Sequence, residues 1–510
     1  MPLVSPHTHP VILVAYILVA AMHIVSGLSL RACDQLLSSL RLLIKLMVED
    51  FDTSQGRGKL LEKSIPMDAR TVLHRLALEP FYKAFVCCPE CSTCYPDNGT
   101  GSYPEFCSSN RASTRASTQQ TCGQSLRKSR NNGSRPYHTP VRRFFYHNFM
   151  EWLGEMLCRP GMEDMMERSF SPSPDGVMRD IWDAPGLYEI PGPDGRPFVR
   201  ECADNEGRFL FSFNMDGFNP FQLKQAGRSA SVMGLYMVCL NLPPEARFKS
   251  ENMFLAGIIP GPNEPSKEEI NHFLRPLVDD LLKSYLDGVY YTRTWKYPKG
   301  RKTRSALALI ICDLPAARQA LGFTGPQSTN FCSYCKLQLK DINNLNVGDW
   351  EPRSCEEHRR LASEWQDAPL EARRAEITNK HGVRYSEFIR LPYLDPIRSL
   401  CVDPMHAFFL RILSRHCQDI WGMDVEIEDG DGLTTDPVSL EMRLSPNFQK
   451  AFLALRTGSL ETLRSFKATT LYHLATDQGI RVKGRKYEHL MTVLAKYVSY
   501  IVALLVTPAR

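Results

Sequence analysis

Two aspartates that directly follow short apolar runs are the first candidates for chemistry in this sequence. Asp216 ends a run that begins at Arg208, and Asp313 follows the run Ser305–Cys312. Both runs have the composition and the Gly, Pro or Asn boundaries of strands. Two carboxylates at one edge of a sheet repel each other unless a cation lies between them. The pair therefore predicts a site for a divalent metal ion.

The same two aspartates also have a structural interpretation. Asp216 stands before a glycine and Asp313 stands before Leu-Pro, so each could be a turn residue or a helix N-cap. The pattern by itself leaves both interpretations open. The catalytic one has a defined chemistry, because two hard cations about 4 Å apart can activate a water and stabilise a leaving 3′-oxygen of a phosphodiester.

The elements between the two aspartates predict a mixed α/β core. Val232–Leu240 and Phe254–Ile259 are short apolar runs typical of strands, and Lys267–Leu286 predicts a helix. Tyr290–Arg304 contains no acid, which predicts a basic hairpin near the site. Its candidates for contact with DNA phosphates are Lys299, Arg301 and Lys302. An ordinary exposed hairpin is the alternative.

Cysteines with the spacing of zinc ligands occur in two groups. The later group consists of Cys332, Cys335, Cys355 and His358. Two close pairs of such ligands predict one tetrahedral zinc ion. Four protein ligands leave no open coordination position, so we expect a structural role. The group lies in a predicted insertion of about 325–395 that is charged and partly helical.

The earlier group begins with Cys88-Pro-Glu-Cys91, a spacing that lets two thiolates bind one ion. Cys107 and Cys122 could complete a four-thiolate structural site. The competing ligands are Cys87 and Cys94. A bound metal would supply folding energy to a segment that is otherwise too polar to pack. Unligated thiols are the alternative.

The chain around the earlier cysteine group is basic. Residues 106–150 contain no Asp or Glu. The candidates for phosphate contact are Arg127, Lys128, Arg130, Arg142 and Arg143. A basic run without acids predicts salt-dependent binding of DNA. A solvated, disordered loop over 108–134 is the alternative. Val141–Met166 then predicts a helix with an apolar face.

Both ends of the chain predict helices. At the N-terminus we expect residues 10–22 and 32–48 to form a buried helical hairpin within a region of 1–80. No Lys or Arg precedes Arg31, so a signal peptide is not indicated. A membrane span needs about 20 apolar residues and remains the alternative. Residues 455–500 resemble the SAP module, a helical motif that binds DNA, with a generic helical hairpin as the alternative. Its basic candidates are Lys483, Arg485 and Lys486.

Length and composition are typical of a globular protein with several domains. The 510 residues predict two to four domains, with 43% apolar and 23% charged residues. A net charge of +5 is small for this length, so contact with nucleic acid depends on local patches. The Cys-x2-Cys pairs among the 16 cysteines indicate intracellular metal sites rather than a secreted disulfide framework.

Several short words occur in one order along the chain and carry a family resemblance. They are Asp-Gly-Phe-Asn-Pro-Phe at 216–221, Leu-Asn-Leu-Pro-Pro-Glu at 240–245, Ile-Pro-Gly-Pro at 259–262, Leu-Arg-Pro-Leu-Val-Asp-Asp at 274–280, Asp-Leu-Pro-Ala at 313–316, Phe-Cys-Ser-Tyr-Cys at 331–335 and Asp-Pro-Met-His at 403–406. From about 75 to 425 the chain resembles the CACTA (En/Spm-type) DNA transposases, most closely their fungal branch.

The resemblance implies a ribonuclease-H-like catalytic fold over 208–423, with an acidic triad that binds Mg²⁺ or Mn²⁺. Asp216 and Asp313 match the first two acids of the family. In plant members a Glu after the Met-His word is the third ligand, whereas Ala-Phe-Phe follows that word here. We therefore assign Asp403 as the third acid. A helix N-cap or first-turn acid is its structural alternative.

The predicted function is a nuclear DDE-type DNA transposase that cuts and joins DNA at element ends. We expect DNA as the partner and no membrane partner. Whether the protein forms a homo-oligomer, and whether it is a truncated or inactive copy, stays open. Residues 81–150 would be a DNA-binding segment and 171–207 a connector. Two other functions stay open: a domesticated DNA-binding protein without catalysis, and a membrane-anchored or structural zinc protein.

Overall fold

The computed structural model describes residues 8–51, 61–78, 80–99, 101–111, 120–131, 136–167, 176–200, 206–219, 231–421, 442, 445–457, 459–477 and 486–495. The chain divides into two compact units, Met1–Asp424 and Val425–Arg510. Within the first unit, the described residues combine a large mixed sheet with many helices, so the predicted α/β class is confirmed.

The strands of the first unit are β1 (Tyr82–Cys87), β2 (Cys94–Pro96), β3 (Asn110–Arg111), β4 (Gln120–Thr121), β5 (Arg127–Asn131), β6 (Pro136–Pro140), β7 (Arg143–His147), β8 (Gly207–Phe218), β9 (Val232–Cys239), β10 (Met253–Ile259), β11 (Val289–Tyr291), β12 (Arg301–Cys312) and β13 (Leu400–Val402). Nine of them form one sheet in the order β11-β12-β8-β9-β10-β7-β1-β2, with β13 also paired to β12. Two small two-stranded sheets, β3–β4 and β5–β6, are separate from the large sheet.

Three strands of the large sheet run in the same direction side by side. β12 pairs with β8, where Ile310 is opposite Phe213, and with β13, where Cys312 is opposite Val402. β8, β9 and β10 form an antiparallel meander that continues the sheet. Because β8, β12 and β13 are parallel, their C-terminal ends lie at the same edge of the sheet.

The helices of the first unit are α1 (Pro10–Ile24), α2 (Leu30–Phe51), α3 (Ala69–Arg75), α4 (Phe149–Leu157), α5 (Met162–Met166), α6 (Pro244–Arg247), α7 (Ile270–Leu286), α8 (Leu314–Leu321), α9 (Cys355–Asp367), α10 (Glu371–His381), and two π-helical segments, α11 (Met405–Leu413) and α12 (His416–Ile420). Short 3₁₀ helices occupy Ile181–Asp183, Pro185–Leu187, Ser250–Asn252, Leu339–Asp341, Val347–Asp349 and Glu387–Arg390. α9 and α10 lie in the predicted insertion.

Helix α7 forms where the sequence predicts one, and it packs against β12 with an apolar face. Phe273, Leu277 and Leu281 on that face are fully buried, as the spacing of three and four residues requires. The helix also buries Asp280, which accepts a hydrogen bond of 2.8 Å from the Tyr146 hydroxyl of β7. This bond connects α7 to the far half of the sheet.

The prediction of one helix over Val141–Met166 is wrong at its beginning. Residues 143–147 form strand β7, and α4 starts only at Phe149 behind the N-cap Asn148. Phe144 and Tyr146 are fully buried whereas Phe145 between them is 45% exposed, which is the two-residue alternation of a strand. Through β7, β1 and β2, the cysteine-rich segment joins the large sheet.

The predicted connector before β8 is ordered over residues 176–200. Asp180 caps a short helix and forms two hydrogen bonds with Arg247, of 2.7 and 3.0 Å. Trp182 donates from its indole nitrogen to the carbonyl of Leu240 over 2.7 Å. Through Asp180 and Trp182, these contacts hold the connector on the core.

The predicted N-terminal helical hairpin is present as α1 and α2, which pack on each other and on α3. Ile12, Tyr16 and Val19 of α1 are buried in this contact. None of the helices that the structure describes combines the length and hydropathy needed to cross a membrane.

In the second unit, the described helices are α13 (Pro446–Arg456), α14 (Leu460–Leu463) and α15 (Ala468–Asp477), with further helical residues at 487–495. A small core holds them together, centred on Phe448, Leu471 and Leu490. The helical prediction for 455–500 agrees with these residues, whereas its resemblance to the SAP module stays a prediction.

A buried ion-pair network holds α5 against the start of β12. Arg301 and Glu163 are 3% and 1% exposed, and Nη1 of Arg301 lies 3.2 Å from a Glu163 carboxylate oxygen. The same guanidinium group also pairs with Glu167. The Arg301 side chain is therefore buried in the interior of the protein and paired there.

We expect Glu163→Gln to lower the free energy of unfolding by about 3 kcal/mol, because it leaves a buried guanidinium with one charged partner fewer. Urea denaturation measures the change. Glu251→Gln is the matched control, because Glu251 is exposed and its substitution should cost less than about 0.5 kcal/mol. Equal stability of the two variants would contradict the importance of the network.

Candidate active site and metal centre

Three neighbouring parallel strands each carry an aspartate at or near their C-terminal end: Asp313 and Asp403 directly follow β12 and β13, and Asp216 lies two residues before the end of β8. The Met215 N–H donates to the Cys312 sulphur over 3.2 Å, and Cys312 is the register partner of Val402. These three residues thus lie at one level of β8, β12 and β13, and an aspartate follows each of them directly. The three aspartates at this edge are Asp216, Asp313 and Asp403, although no three acidic side chains of the described residues have their oxygens within 4.8 Å of one another.

All three carboxylates act electrostatically on two neighbouring groups. Burial raises the pKa of the Cys312 thiol to about 12, and the charges of the three aspartates act in the same direction. A hydrogen bond to Asp403 raises the pKa of His406, and the charges of Asp313 and Asp216 add to that effect. This edge of the sheet therefore concentrates negative charge, which favours binding of a divalent cation.

Two of the three aspartates also cap helices. One oxygen of Asp313 accepts the Ala316 N–H over 2.8 Å, and one oxygen of Asp403 accepts the Met405 N–H over 2.9 Å. The second oxygen of Asp403 is hydrogen-bonded to Nδ1 of His406. A carboxylate can cap with one oxygen and bind a cation with the other. His406 competes with a cation for the second oxygen of Asp403, although each carboxylate oxygen has two lone-pair sites.

A cleft of about 400 Å³ lies beside the first two acids, and sequence reasoning missed two of its charged residues. Asp216 and Asp313 line this cleft together with Glu264 and Lys267, which belong to the connection between β10 and α7. Glu264 accepts a hydrogen bond of 3.0 Å from the Ser231 hydroxyl. No local pattern marks Glu264, because only the fold brings its loop to the strand ends.

Tyr236 is a further side chain beside Asp216. Asp216 is opposite Gly234 in the β8–β9 pairing, and the Tyr236 ring lies over that glycine, where a Cβ would collide with it. Burial raises the pKa of Tyr236, and the charge of Asp216 acts in the same direction. The glycine therefore makes room for a protonated phenol next to the first acid.

Four cysteines gather with the geometry of a tetrahedral metal site. Cys88 and Cys91 lie in the turn after β1, and Cys107 and Cys122 flank the β3–β4 hairpin. Their sulphur atoms all lie within 4.8 Å of one another, with 3.7 Å between Cys88 and Cys122. Four sulphurs bound to one zinc ion at 2.3 Å would be about 3.8 Å apart. This predicted group could therefore hold a metal such as zinc.

The protonation of these thiols is adjusted by burial and hydrogen bonds. Burial raises the pKa of the Cys88 and Cys107 thiols. Burial acts in the same way on Cys91, but hydrogen bonds with Thr93 and the neighbouring cysteines lower its pKa overall. A bound cation would favour the thiolate form at each position.

The two competing ligands contact each other instead of joining this group. Cys87 and Cys94 are register partners in β1–β2, and their sulphur atoms are 3.4 Å apart. Consecutive residues of a strand point to opposite faces. Cys87 therefore turns into the main core, whereas the neighbouring Cys88 belongs to the cysteine group.

The later group of predicted zinc ligands is not gathered in the same way. Over the described ranges, the Cys88 group is the one set of three or more candidate ligands within 4.8 Å. The Cys332 sulphur accepts the N–H groups of Tyr334 and Cys335, both over 3.4 Å. His358 is buried against Phe323, with Nε2 3.2 Å from the Leu321 carbonyl.

The guanidinium group of Arg353 connects the loop that contains Cys332 with the rest of the insertion through hydrogen bonds. Arg353 donates to the carbonyls of Cys332, Cys335 and His381 over 2.9, 3.2 and 2.9 Å. Cys355 lies at the start of α9 and packs against the main core. Zinc binding by these cysteines and His358 stays a prediction.

Four of the arginines predicted to contact DNA have partners within the protein. Arg127 stacks on Tyr103, Arg142 donates to the Pro260 carbonyl over 3.0 Å, and Arg143 lies 3.2 Å from Asp97. Arg301 is the buried member of the ion-pair network, so it contacts glutamates rather than phosphates. Charge pattern alone could not reveal partners that are distant in sequence.

The remaining basic candidates differ in exposure. Lys128, Arg130, Lys299 and Lys486 are exposed, and Lys302 is half-buried beside Gly288. Lys483 and Arg485 lie outside the described residues. Contact of these side chains with DNA stays a prediction.

Comparison with known proteins relates part of this chain to one protein family. Residues 200–362, about a third of the chain, match the family described as transposase family tnp2. The matched stretch contains Asp216, Asp313 and the strands that bear them, and it supports a transposase function with DNA as the partner. A search of curated proteins returned no match.

We expect the purified protein to contain about one zinc ion per chain and Cys107→Ser to lose it, because three thiolates leave the tetrahedral shell incomplete. Elemental mass spectrometry measures the metal. Loss of the metal should also make residues 80–131 more sensitive to protease, since metal binding contributes folding energy.

Cys158→Ser is the matched control, because Cys158 is an exposed cysteine away from this group, and it should retain the metal. An intact protein without zinc would contradict the assignment of the Cys88 group. A value of about two ions per chain would indicate a second zinc site, for which the Cys332 group is the predicted one.

Proposed function

We propose that this chain is a DDE-type DNA transposase that cleaves DNA strands and joins them to target DNA in the nucleus. The observation that carries the proposal is the position of Asp216, Asp313 and Asp403 directly after residues at one level of three parallel strands. The transposase match over residues 200–362 supports the same reading. The ordered words of the sequence favour the CACTA type and its fungal branch.

The order of strands supports a ribonuclease-H-like core. An antiparallel meander, β8-β9-β10, is followed by β12 and β13, which continue the sheet parallel to β8. Helix α7 lies between the meander and β12 in the chain. Acids at the shared C-terminal edge of the parallel strands are the arrangement that this fold would need for metal-dependent catalysis.

The acidic edge suits hard cations such as Mg²⁺ or Mn²⁺, which prefer carboxylate oxygens. When bound, such ions can activate a water and stabilise the leaving 3′-oxygen of DNA. Asp216 is exposed two residues before the end of β8, and Asp313 has a second oxygen beyond its helix cap, so these two would hold the ions. The third carboxylate is Asp403, with Glu264 as the competing choice.

A DNA-binding protein without catalysis is the second candidate. It is favoured by one observation: both carboxylate oxygens of Asp403 are engaged, one by the Met405 N–H and the other by His406. A third acid in this arrangement offers a cation only the lone pairs that these hydrogen bonds leave, and His406 competes for one of its oxygens. Glu426 and Glu441, later acids of the sequence that could serve as the third ligand in place of Asp403, lie outside the described residues.

We expect Asp216→Asn and Asp313→Asn each to slow Mn²⁺-dependent nicking of DNA more than about 100-fold, because each removes a charged metal ligand. The assay uses the full chain and DNA that carries candidate element ends. Asp341→Asn is the matched control, since Asp341 is an exposed aspartate of the insertion, and it should leave the rate unchanged.

Two further variants identify the third acid. Loss of nicking in Asp403→Asn, with activity retained in Glu264→Gln, assigns Asp403, and the reverse result assigns Glu264. An intact protein that binds DNA but does not nick it would reject catalysis in favour of the non-catalytic candidate.

A further inference from the structure

Beside the acids, the cleft contains a lysine with two arginines close to it. Lys267 lines the cleft together with Asp216 and Asp313. Its ammonium nitrogen lies 3.2 Å from the position that a Cβ on Gly325 would take, so the glycine leaves room for it. The side chain is exposed and therefore accessible from solvent.

Two buried guanidinium groups lie behind this lysine. Arg318 of α8 and Arg384, which follows α10, are 6% and 5% exposed. Arg384 donates to the Lys267 carbonyl over 2.9 Å, which fixes the backbone of the lysine. Arg318 donates to the Ser333 hydroxyl over 3.2 Å.

The three cationic groups of this cluster form no direct ion pair among the described residues, although the charge of Glu268 acts on Arg384. Within the described ranges, no carboxylate lies within 4.0 Å of Lys267, Arg318 or Arg384 to form an ion pair. Nη1 of Arg318 and Nε of Arg384 are in addition buried without a hydrogen-bond partner. Buried cationic groups are costly unless an anion or hydrogen-bond acceptors compensate them.

The electrostatic coupling of the three groups agrees with this geometry. Burial lowers the pKa of Lys267, and the charges of Arg384 and Arg318 lower it further. The arginines therefore lie close enough to act on the ammonium group. An anion bound at Lys267 would relieve the repulsion among all three.

We propose that Lys267 binds a phosphate of the DNA strand next to the phosphate held at the acidic edge, with Arg318 and Arg384 as positioning residues. The inference rests on the proposed function, because it takes DNA as the ligand of the cleft. A strand presents its phosphates in series, so a cleft that is acidic on one side and basic on the other would hold two of them. Metal ions would neutralise the first phosphate, and the lysine pairs with the next.

The test measures DNA binding by the full chain with a fluorescent duplex in a series of KCl concentrations, with Ca²⁺ in place of Mg²⁺. For Lys267→Gln we expect the slope of log Kd against log salt to fall by about one. Affinity near 0.1 M salt should fall about fivefold to tenfold, because one phosphate contact is lost. Lys267→Arg keeps the charge and should retain the slope of the intact protein.

Lys249→Gln is the matched control. Lys249 is exposed in the connection between β9 and β10, at the opposite edge of the sheet from the acids, so its substitution should leave the slope unchanged. Thermal unfolding of each variant verifies that its fold is intact. A slope for Lys267→Gln equal to that of the intact protein would overturn the phosphate site, whatever the nicking assay shows.

The two proposals fail in distinguishable ways. If Lys267→Gln reduces the slope but the intact protein does not nick DNA, the phosphate site stands and catalysis is rejected. If the intact protein nicks DNA but Lys267→Gln and Lys249→Gln have the same slope, catalysis stands and the phosphate site is rejected.

Discussion

The parallel register of β8, β12 and β13 is the constraint on which the candidate active site depends. The Asn214 side chain donates to the Ile311 carbonyl over 2.5 Å, and the Met215 N–H donates to the Cys312 sulphur. Both bonds fix β8 against β12 just before their acids. A slip of one residue would turn every side chain of a strand to the opposite face, so Asp216 would no longer lie beside its neighbours.

The same sheet links the acidic edge to the cysteine group. β7 reaches β10 through the pairing of Tyr146 with Gly257, where a side chain on the glycine would collide with Phe144. The buried hydrogen bond from Tyr146 to Asp280 then fastens β7 to α7. A metal bound by the cysteines would therefore stabilise strands that are continuous with those bearing the acids.

Whether a charged side chain of this protein can meet a ligand depends on its ion-pair partners in the fold as well as on the charge pattern of the sequence. Arg301 belongs to a basic stretch of sequence, yet its guanidinium is buried against Glu163, which precedes it by more than a hundred residues. Lys267 belongs to no basic stretch, yet the fold leaves it among cations beside the acids. Accessibility and pairing, which only the folded chain defines, decide which charges can meet a phosphate.

The sequence by itself determined the strands that carry Asp216 and Asp313, the helix α7 and the cysteines of the Cys88 group, because residue type and short-range spacing decide these features. The tertiary structure decided that residues 143–147 form a strand. In the sequence, the alternation of apolar residues over five positions is too short to distinguish a strand from a helix. It also decided that Glu264 joins the acidic cleft. Local propensity extends over a few residues, whereas register, burial and ion pairing depend on partners far away in the chain.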